Sequence, residues 1–182
     1  MGISEYGSGA GPSIHGSSPK NQDDSEEYQC LYHEDYWRAM KVRPWLWCKA
    51  VWNMFDFASD GRNEGEKPGI NDKGLVSRDR KTRKDSFYWY KANWTQEPMV
   101  YITSRRFTPR VEKKTDLKVY SNCDKVKLVL NGKAIGEKKV VGSVALWKGV
   151  TLRSGKNLVE VSSVRGKTKV NDSCVWVLAG KS

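Results

Sequence analysis

The stretch Trp45-Leu46-Trp47-Cys48-Lys49-Ala50-Val51-Trp52 decides the fold class, because it predicts a strand that is buried on both faces. Apolar residues run from Leu46 to Trp52, and only Lys49 interrupts them. A strand with two apolar faces needs neighbouring strands on both sides and helices over the sheet. No earlier strand in the sequence supplies those neighbours, so we expect the strand to belong to a larger parallel α/β structure.

Helices are predicted on both sides of this strand. Asp24 and Glu27 have the spacing of a capping box, and apolar residues follow them at intervals of three and four. Pro44 is expected to end this helix. His33 lies on it, next to an acidic residue, and we expect it to be solvated. A second helix is predicted over Asp85 to Trp94.

A polar, glycine-containing loop at 58–72 separates the strand from the second helix, and 74–76 is a candidate short strand. A long structureless loop inside a domain is usually functional. Residues 1–97 therefore contain two βα units, whereas a complete (β/α)8 TIM barrel needs about 250 residues. We predict that 1–97 are the C-terminal part of such a barrel. A small self-sufficient α+β domain is the alternative.

The second half of the sequence has a different pattern, which begins after Pro98. Short alternating segments are separated by turns, and Asn131-Gly132 is a strong hairpin signal. Strands at this spacing predict an immunoglobulin-like β-sandwich at 98–182, so the whole chain is α/β plus all-β. The candidate strands are 100–104, 117–120, 126–130, 145–152, 158–164 and 173–178.

Charge is distributed unevenly between the two halves. Residues 1–98 carry 14 Lys and Arg against 15 Asp and Glu, whereas 99–182 carry 18 against 6. The basic residues alternate with apolar ones along the predicted strands, which is typical of a solvated sheet face. A module that binds carbohydrate or polyanions is the alternative. There is neither an apolar run long enough to span a membrane nor a signal peptide at the start.

The four cysteines do not form a metal-binding pattern. Cys30, Cys48, Cys123 and Cys174 contain no closely spaced pair, so we expect no metal site and no cofactor. Cys30 and Cys48 fall on a predicted helix and a predicted buried strand, where thiols act as small apolar groups. Cys123 and Cys174 both lie in the second half, and the sequence does not decide whether they form a disulfide.

Eight stretches of the sequence, taken in order, form a recognisable set. They are Ile3-Ser4-Glu5-Tyr6-Gly7, Glu26-Glu27-Tyr28-Gln29, Arg43-Pro44-Trp45-Leu46-Trp47, Val51-Trp52-Asn53-Met54-Phe55-Asp56-Phe57, Asp60-Gly61-Arg62-Asn63-Glu64-Gly65, Pro68-Gly69-Ile70-Asn71-Asp72-Lys73-Gly74-Leu75-Val76, Asp79-Arg80-Lys81 and Asp85-Ser86-Phe87-Tyr88-Trp89-Tyr90-Lys91-Ala92-Asn93-Trp94. Together they resemble the C-terminal part of family 2 glycoside hydrolases, most closely the β-galactosidases. The first resembles the strand-seven motif of that family, and the others resemble the following helix, strand eight, its loop and helix eight.

The resemblance implies a retaining glycosidase that cleaves terminal β-galactosides through a covalent intermediate, with Glu5 as the catalytic nucleophile. Such enzymes need two carboxyl groups about 5–5.5 Å apart, and the acid/base partner would lie in a preceding part of the same protein. The isolated chain is therefore expected to be inactive. Asp56, Asp60 and Glu64 are local carboxylates that we expect to position substrate or to stabilise the loop.

Aromatic residues suggest how the sugar would be held. The resemblance places Trp52 at the floor of the active site, where an indole gives a flat surface for the apolar face of a pyranose. A core tryptophan is the alternative. Trp45 and Trp47 are expected to serve packing, and His15, in the loop after Glu5, could approach the sugar.

Asn71 and Lys73 allow more than one interpretation of which sugar is the substrate. An Asn-x-Lys pair on the loop after strand eight also occurs in β-glucuronidases of this family, where it contacts the carboxylate of the sugar. Lysine offers a point charge for an anion, and asparagine an amide donor. The loop as a whole resembles β-galactosidases more closely. A simple turn held by Asn71, with a solvated Lys73, is the third interpretation.

The first function predicted is therefore a β-galactosidase, the second a β-glucuronidase, and the third a non-catalytic binding module. The expected partners are a β-linked sugar and the preceding part of the same protein, not nucleic acid or a membrane. A bacterial periplasmic or extracellular location is favoured over the cytoplasm.

Overall fold

The computed structural model describes residues 1–21 and 23–180 and divides into two compact units. The first unit is Met1–Trp89 and the second is Tyr90–Ser182. The division falls inside the second helix, a few residues before the predicted boundary at 97.

The first unit begins with a β-α-β arrangement. Strand β1 (Gly2–Tyr6) pairs in parallel with β2 (Cys48–Val51), and helix α1 (Glu26–Lys41) connects them. Because the two strands are parallel, their carboxyl ends lie at the same edge of the pair. The strand predicted at 46–52 is therefore present but shorter. The closed barrel to which we assigned it remains a prediction.

The start of α1 differs from the prediction in one residue. Ser25, not Asp24, is the N-cap, and its side chain accepts a hydrogen bond from the backbone N–H of Tyr28. Asp24 has a φ of 55° and lies before the cap. The expectation that His33 is solvated was wrong, because its side chain is fully buried. Burial, together with the charge of Lys84, lowers the pKa of His33 to about 3.

Two short strands close the loop that was predicted to be structureless. Strand β3 (Phe57–Ala58) pairs antiparallel with β4 (Ile70–Asn71), so the residues between them form a long loop that connects two paired strands. The candidate strand at 74–76 contributes only isolated bridges from Val76. Helix α2 (Asp85–Trp94) has the predicted bounds.

Trp45 and Trp47 do not serve the packing role that we expected within this chain. Their exposed fractions are 55% and 79%, respectively. The apolar stretch that we expected to be buried on both sides is therefore covered only in part.

The second unit is a β-sandwich, as predicted. Its four-stranded sheet has the order β11-β10-β7-β8 and its three-stranded sheet the order β5-β6-β9. The strands are β5 (Val100–Ile102), β6 (Lys114–Ser121), β7 (Lys125–Leu130), β8 (Lys133–Lys139), β9 (Val144–Thr151), β10 (Gly155–Arg165) and β11 (Thr168–Leu178). Alternating side chains of both sheets form one apolar core, with Trp176 fully buried in it.

Six of these seven strands correspond to predicted segments, and β8 is the one that the sequence did not reveal. Every residue of β8 is exposed, so the strand has no apolar alternation to detect. The predicted turn at Asn131-Gly132 joins β7 to β8, and both residues have positive φ. All four cysteines are free thiols, so Cys123 and Cys174 are not bonded to each other.

Candidate functional site

The carboxyl end of β1 lies against the carboxyl end of β2. The backbone N–H of Trp52 donates to the carbonyl oxygen of Tyr6 at 2.7 Å. A Cβ on Gly7 would lie 1.6 Å from the carbonyl oxygen of Trp52, so only glycine fits there. Glu5 immediately precedes this contact and its side chain is exposed. Glu5 and Trp52 are therefore held at one edge of the strand pair.

Trp52 itself is 37% exposed and packs edge-to-face on Phe57, with 5.7 Å between the ring centroids. The peptide bond between Trp52 and Asn53 is cis. The partly exposed indole keeps free area, which a stacking platform for a sugar needs. Its role in binding stays a prediction.

The loop that carries Lys73 is attached to the same place. The backbone N–H of Asn53 donates to the carbonyl oxygen of Lys73 at 3.0 Å, and Asn53 in turn accepts a hydrogen bond from Leu75. Asn71 is 8% exposed, and its Oδ1 accepts from the backbone N–H of Lys73 at 3.2 Å. Asn71 thus shapes the turn, and Lys73 is brought to the edge where Glu5 lies.

A cleft of about 540 Å³ opens beside this edge. It contains two cations, Arg62 and Lys73, and two carboxylates, Asp24 and Glu64. Arg62 and Glu64 form an ion pair at 2.6 Å, whereas Lys73 forms none with the described residues. Lys73 is therefore the cation of the cleft that has no ion-pair partner among the described residues. Its lining residues are Gly7, Ser8, Gly9, Asn21, Asp24, Tyr28, Tyr32, Arg62, Glu64 and Lys73.

Carboxylates crowd the inner side of the cleft. A Cβ on Gly9 would lie 2.7 Å from Oδ1 of Asp72 and 2.9 Å from Oδ1 of Asp24, so the glycine makes room for both groups. Asp72 is 4% exposed, and neither carboxylate oxygen has a hydrogen-bond partner among the described residues. Burial, followed by the charges of Asp72 and Glu64, raises the pKa of Asp24.

A buried ion pair supports the loop from below. Nζ of Lys84 lies 2.8 Å from Oδ1 of Asp56 and donates to the carbonyl oxygen of Asp72 at 2.7 Å. Oδ1 of Asp56 also accepts from the backbone N–H of Gly74 at 2.8 Å. Asp56 therefore stabilises the loop, which is one of the two roles expected of it. The role of Lys84 was not predicted, because a basic stretch before a helix gives no sign of burial.

His15 anchors the loop after β1 to the start of α1. Its Nδ1 lies 3.2 Å from the carboxylate oxygens of Glu27, which also accepts from the backbone N–H of Gly16. Burial opposes protonation of His15, but the hydrogen bond and charge of Glu27, with the charges of Glu26 and Asp85, outweigh it and raise the pKa above 6.5.

Replacing His15 with Gln is expected to destabilise the protein more at acid than at alkaline pH. A raised pKa in the folded state means that the stabilisation is complete below the unfolded pKa of about 6.5 and is lost as the pH rises through the folded pKa. Urea unfolding of both proteins at about pH 5.5 and about pH 8.5 measures the difference. An equal loss at both values would contradict the assignment.

The structure thus brings together Glu5, Trp52, Asn71 and Lys73 at one edge, although only Lys73 of the four lines the cleft. Arg62 and Tyr32 also line the cleft, and neither was among the predicted site residues. Burial and a hydrogen bond to Tyr36 raise the pKa of Tyr32. Among the described residues, no three His, Cys, Asp or Glu side chains are grouped so as to hold a metal ion. No described helix is long and apolar enough to cross a membrane.

Comparison with known proteins shows what the chain resembles. Residues 112–170 match a domain of unknown function, DUF4982. The chain is 42% identical to a β-glucuronidase of Bacteroides fragilis over 179 residues, which are 94% of this chain and 26% of that protein. The chain therefore spans about a quarter of the length of this relative.

Solved structures agree over nearly the whole chain. An FMN-binding β-glucuronidase from Facaelibacterium prausnitzii L2-6 matches with 46% identity and a TM-score of 0.89, over 98% of this chain and 27% of that one. A putative β-galactosidase from Bacteroides fragilis matches with 33% identity and a TM-score of 0.88, over 98% and 28%.

Over nearly its whole length the chain therefore shares its fold with part of larger proteins named β-glucuronidase or putative β-galactosidase. These matches support the resemblance to glycoside hydrolases of family 2 at the level of the family.

Proposed function

We propose that the chain is the C-terminal part of a retaining β-glucuronidase. In this proposal β1-α1 and β2-α2 are the last two units of a (β/α)8 barrel, and an immunoglobulin-like sandwich follows. The parallel β1–β2 pair and the exposed Trp45 and Trp47 support it, because a barrel would supply the neighbours that this strand pair lacks. The preceding part of the same protein is the partner required.

Glu5 is the nucleophile in this proposal. It stands at the carboxyl end of β1, and catalytic groups of TIM barrels lie at the carboxyl ends of the strands. Attack by its carboxylate on the anomeric carbon forms a glycosyl-enzyme, and a second carboxyl group first protonates the leaving oxygen and then activates water. That second group comes from the preceding part of the protein, so the isolated chain has no turnover.

Lys73 carries the choice of a glucuronide over a galactoside. A glucuronide differs from a neutral sugar by a carboxylate, and Lys73 is the cation of the cleft that forms no ion pair with the described residues. Arg62 is already paired with Glu64. Asn71 fixes the backbone of Lys73 and so directs its side chain. The β-galactosidase alternative leaves this charge without a ligand.

Replacing Lys73 with Ala in the complete enzyme tests the proposal. A hydrogen bond to a charged group contributes about 1.5–3 kcal/mol, so kcat/KM for an aryl β-glucuronide is expected to fall by roughly 10- to 150-fold. Turnover of the matching aryl β-galactoside should be unchanged.

Lys67→Ala is the matched control, because Lys67 is an exposed lysine of the same loop and does not line this cleft. It should leave both substrates unaffected. Wild-type enzyme that prefers the galactoside, with a Lys73→Ala variant that retains its full rate on the glucuronide, would favour the β-galactosidase instead.

A further inference from the structure

A basic groove of about 940 Å³ lies on the β-sandwich, between the outer strands of its two sheets. Strand β8 is the edge of the four-stranded sheet and β9 is an edge of the three-stranded sheet. All thirteen lining residues lie within the region that matches the domain of unknown function. The groove shares no lining residue with the cleft of the first unit, whose lining residues all precede residue 74.

The walls of the groove carry an excess of positive charge. Five lining residues are cationic and none of the thirteen is Asp or Glu. Asp116 lies against the groove, because it accepts from the backbone N–H of the lining residue Gly149, whereas Glu137 pairs with Lys125 at 2.8 Å. The cationic residues are Lys113, Lys133, Lys138, Lys148 and Arg153.

Both strands that border the groove are bulged at this point. In β8 the pairing skips Ile135, and in β9 the residues Lys148 and Gly149 oppose the single residue Asp116. A bulge bends its strand and re-aims the neighbouring side chains. All three bulged residues line the groove, so both bulges lie next to its cationic side chains.

The floor of the groove is apolar. Trp147 lines it, but this residue is 4% exposed and belongs to the core between the two sheets. The groups that the groove offers to a ligand are therefore the cations of its walls, and their charge is complementary to carboxylate or sulfate groups.

We propose that this groove binds an anionic polysaccharide through its carboxylate or sulfate groups. The choice of a glycan over a nucleic acid rests partly on the proposed function, which acts on an anionic sugar. It also rests on the groove itself, because single-stranded nucleic acids are usually held by exposed aromatic rings, and the only aromatic lining residue is the buried Trp147.

The test is a titration of the 182-residue chain with polygalacturonate, heparin, neutral dextran and a single-stranded oligonucleotide at low salt. A triple variant, Lys133→Gln, Lys138→Gln and Lys148→Gln, removes three groove charges. The control variant, Lys156→Gln, Lys167→Gln and Lys169→Gln, removes three exposed charges that do not line the groove. Circular dichroism verifies that both variants are folded.

Wild type and control are expected to bind polygalacturonate or heparin alike and dextran not at all. The groove variant should bind at least about tenfold more weakly and with a flatter dependence on salt. Lysines on an edge strand also prevent the strand from pairing with the sheet of another molecule. If this is their only role, the groove variant and the control variant bind the polymers with equal affinity. Equal affinities, absence of binding, or a preference for the oligonucleotide would each overturn the proposal. Glycosidase turnover does not enter the measurement, so failure here is distinct from failure of the proposed function.

Discussion

Replacing Lys84 with Met is expected to lower the free energy of unfolding of the chain by about 3–5 kcal/mol. Methionine fills a similar volume, but it removes the partner of Asp56 and the donor to the carbonyl oxygen of Asp72. Lys84 is fully buried and Asp56 is 5% exposed, so water cannot replace either contact without opening the loop. Urea unfolding followed by tryptophan fluorescence measures the change.

Two further variants make this prediction specific. The double variant Lys84→Met, Asp56→Asn removes both charges and keeps an acceptor for the backbone N–H of Gly74, so it should recover much of the loss. Lys125→Met breaks the exposed pair with Glu137 and should leave the unfolding midpoint unchanged. A Lys84→Met protein as stable as wild type would show that the pair contributes little.

The elements that the sequence revealed are those with a strong pattern. Helix α2 and six strands of the sandwich have caps, apolar periods or turn residues that depend on near neighbours in sequence. Strand β8 has none of these, because an edge strand with two exposed faces imposes no pattern on its side chains. Its pairing with β7 follows from the Asn131-Gly132 turn rather than from its own residues.

Burial of polar residues was the part that the sequence could not predict. His33, Lys84 and Asp72 are all buried, yet residue type alone assigns such side chains to the surface. Whether a lysine is buried depends on a partner such as Asp56, which is 28 residues away in sequence. The exposure of Trp45 and Trp47 is the opposite case, because residue type predicts burial and the described residues do not cover them.

The candidate site shows the same division. The resemblance could select Glu5, Trp52, Asn71 and Lys73, but only the fold shows that backbone hydrogen bonds from Trp52 and Asn53 hold β1 and the Lys73 loop at one edge. The sequence also could not show that Arg62 is neutralised by Glu64, which leaves Lys73 as the free cation. The proposed preference for a charged sugar therefore rests on the geometry of the cleft as well as on the motif.

Replacing Glu5 with Gln in the complete enzyme is expected to reduce kcat by at least about a thousandfold, the largest effect that we predict. The substitution keeps the size of an exposed side chain at the end of β1, so stability should hardly change. Ser4→Ala, at the neighbouring exposed position, is the control and should retain full activity.

A second measurement separates a nucleophile from a residue that merely shapes the site. In a Glu5→Ala variant, added azide can enter the space of the lost carboxylate and attack the anomeric carbon in its place. We expect azide to restore turnover and to yield a glycosyl azide of inverted configuration, which proton NMR identifies. Azide is not expected to restore turnover to other alanine variants at this edge, such as Trp52→Ala. Full activity of Glu5→Gln, or a Glu5→Ala enzyme that azide does not rescue, would remove Glu5 from the chemistry and with it the two-carboxylate mechanism built on this strand.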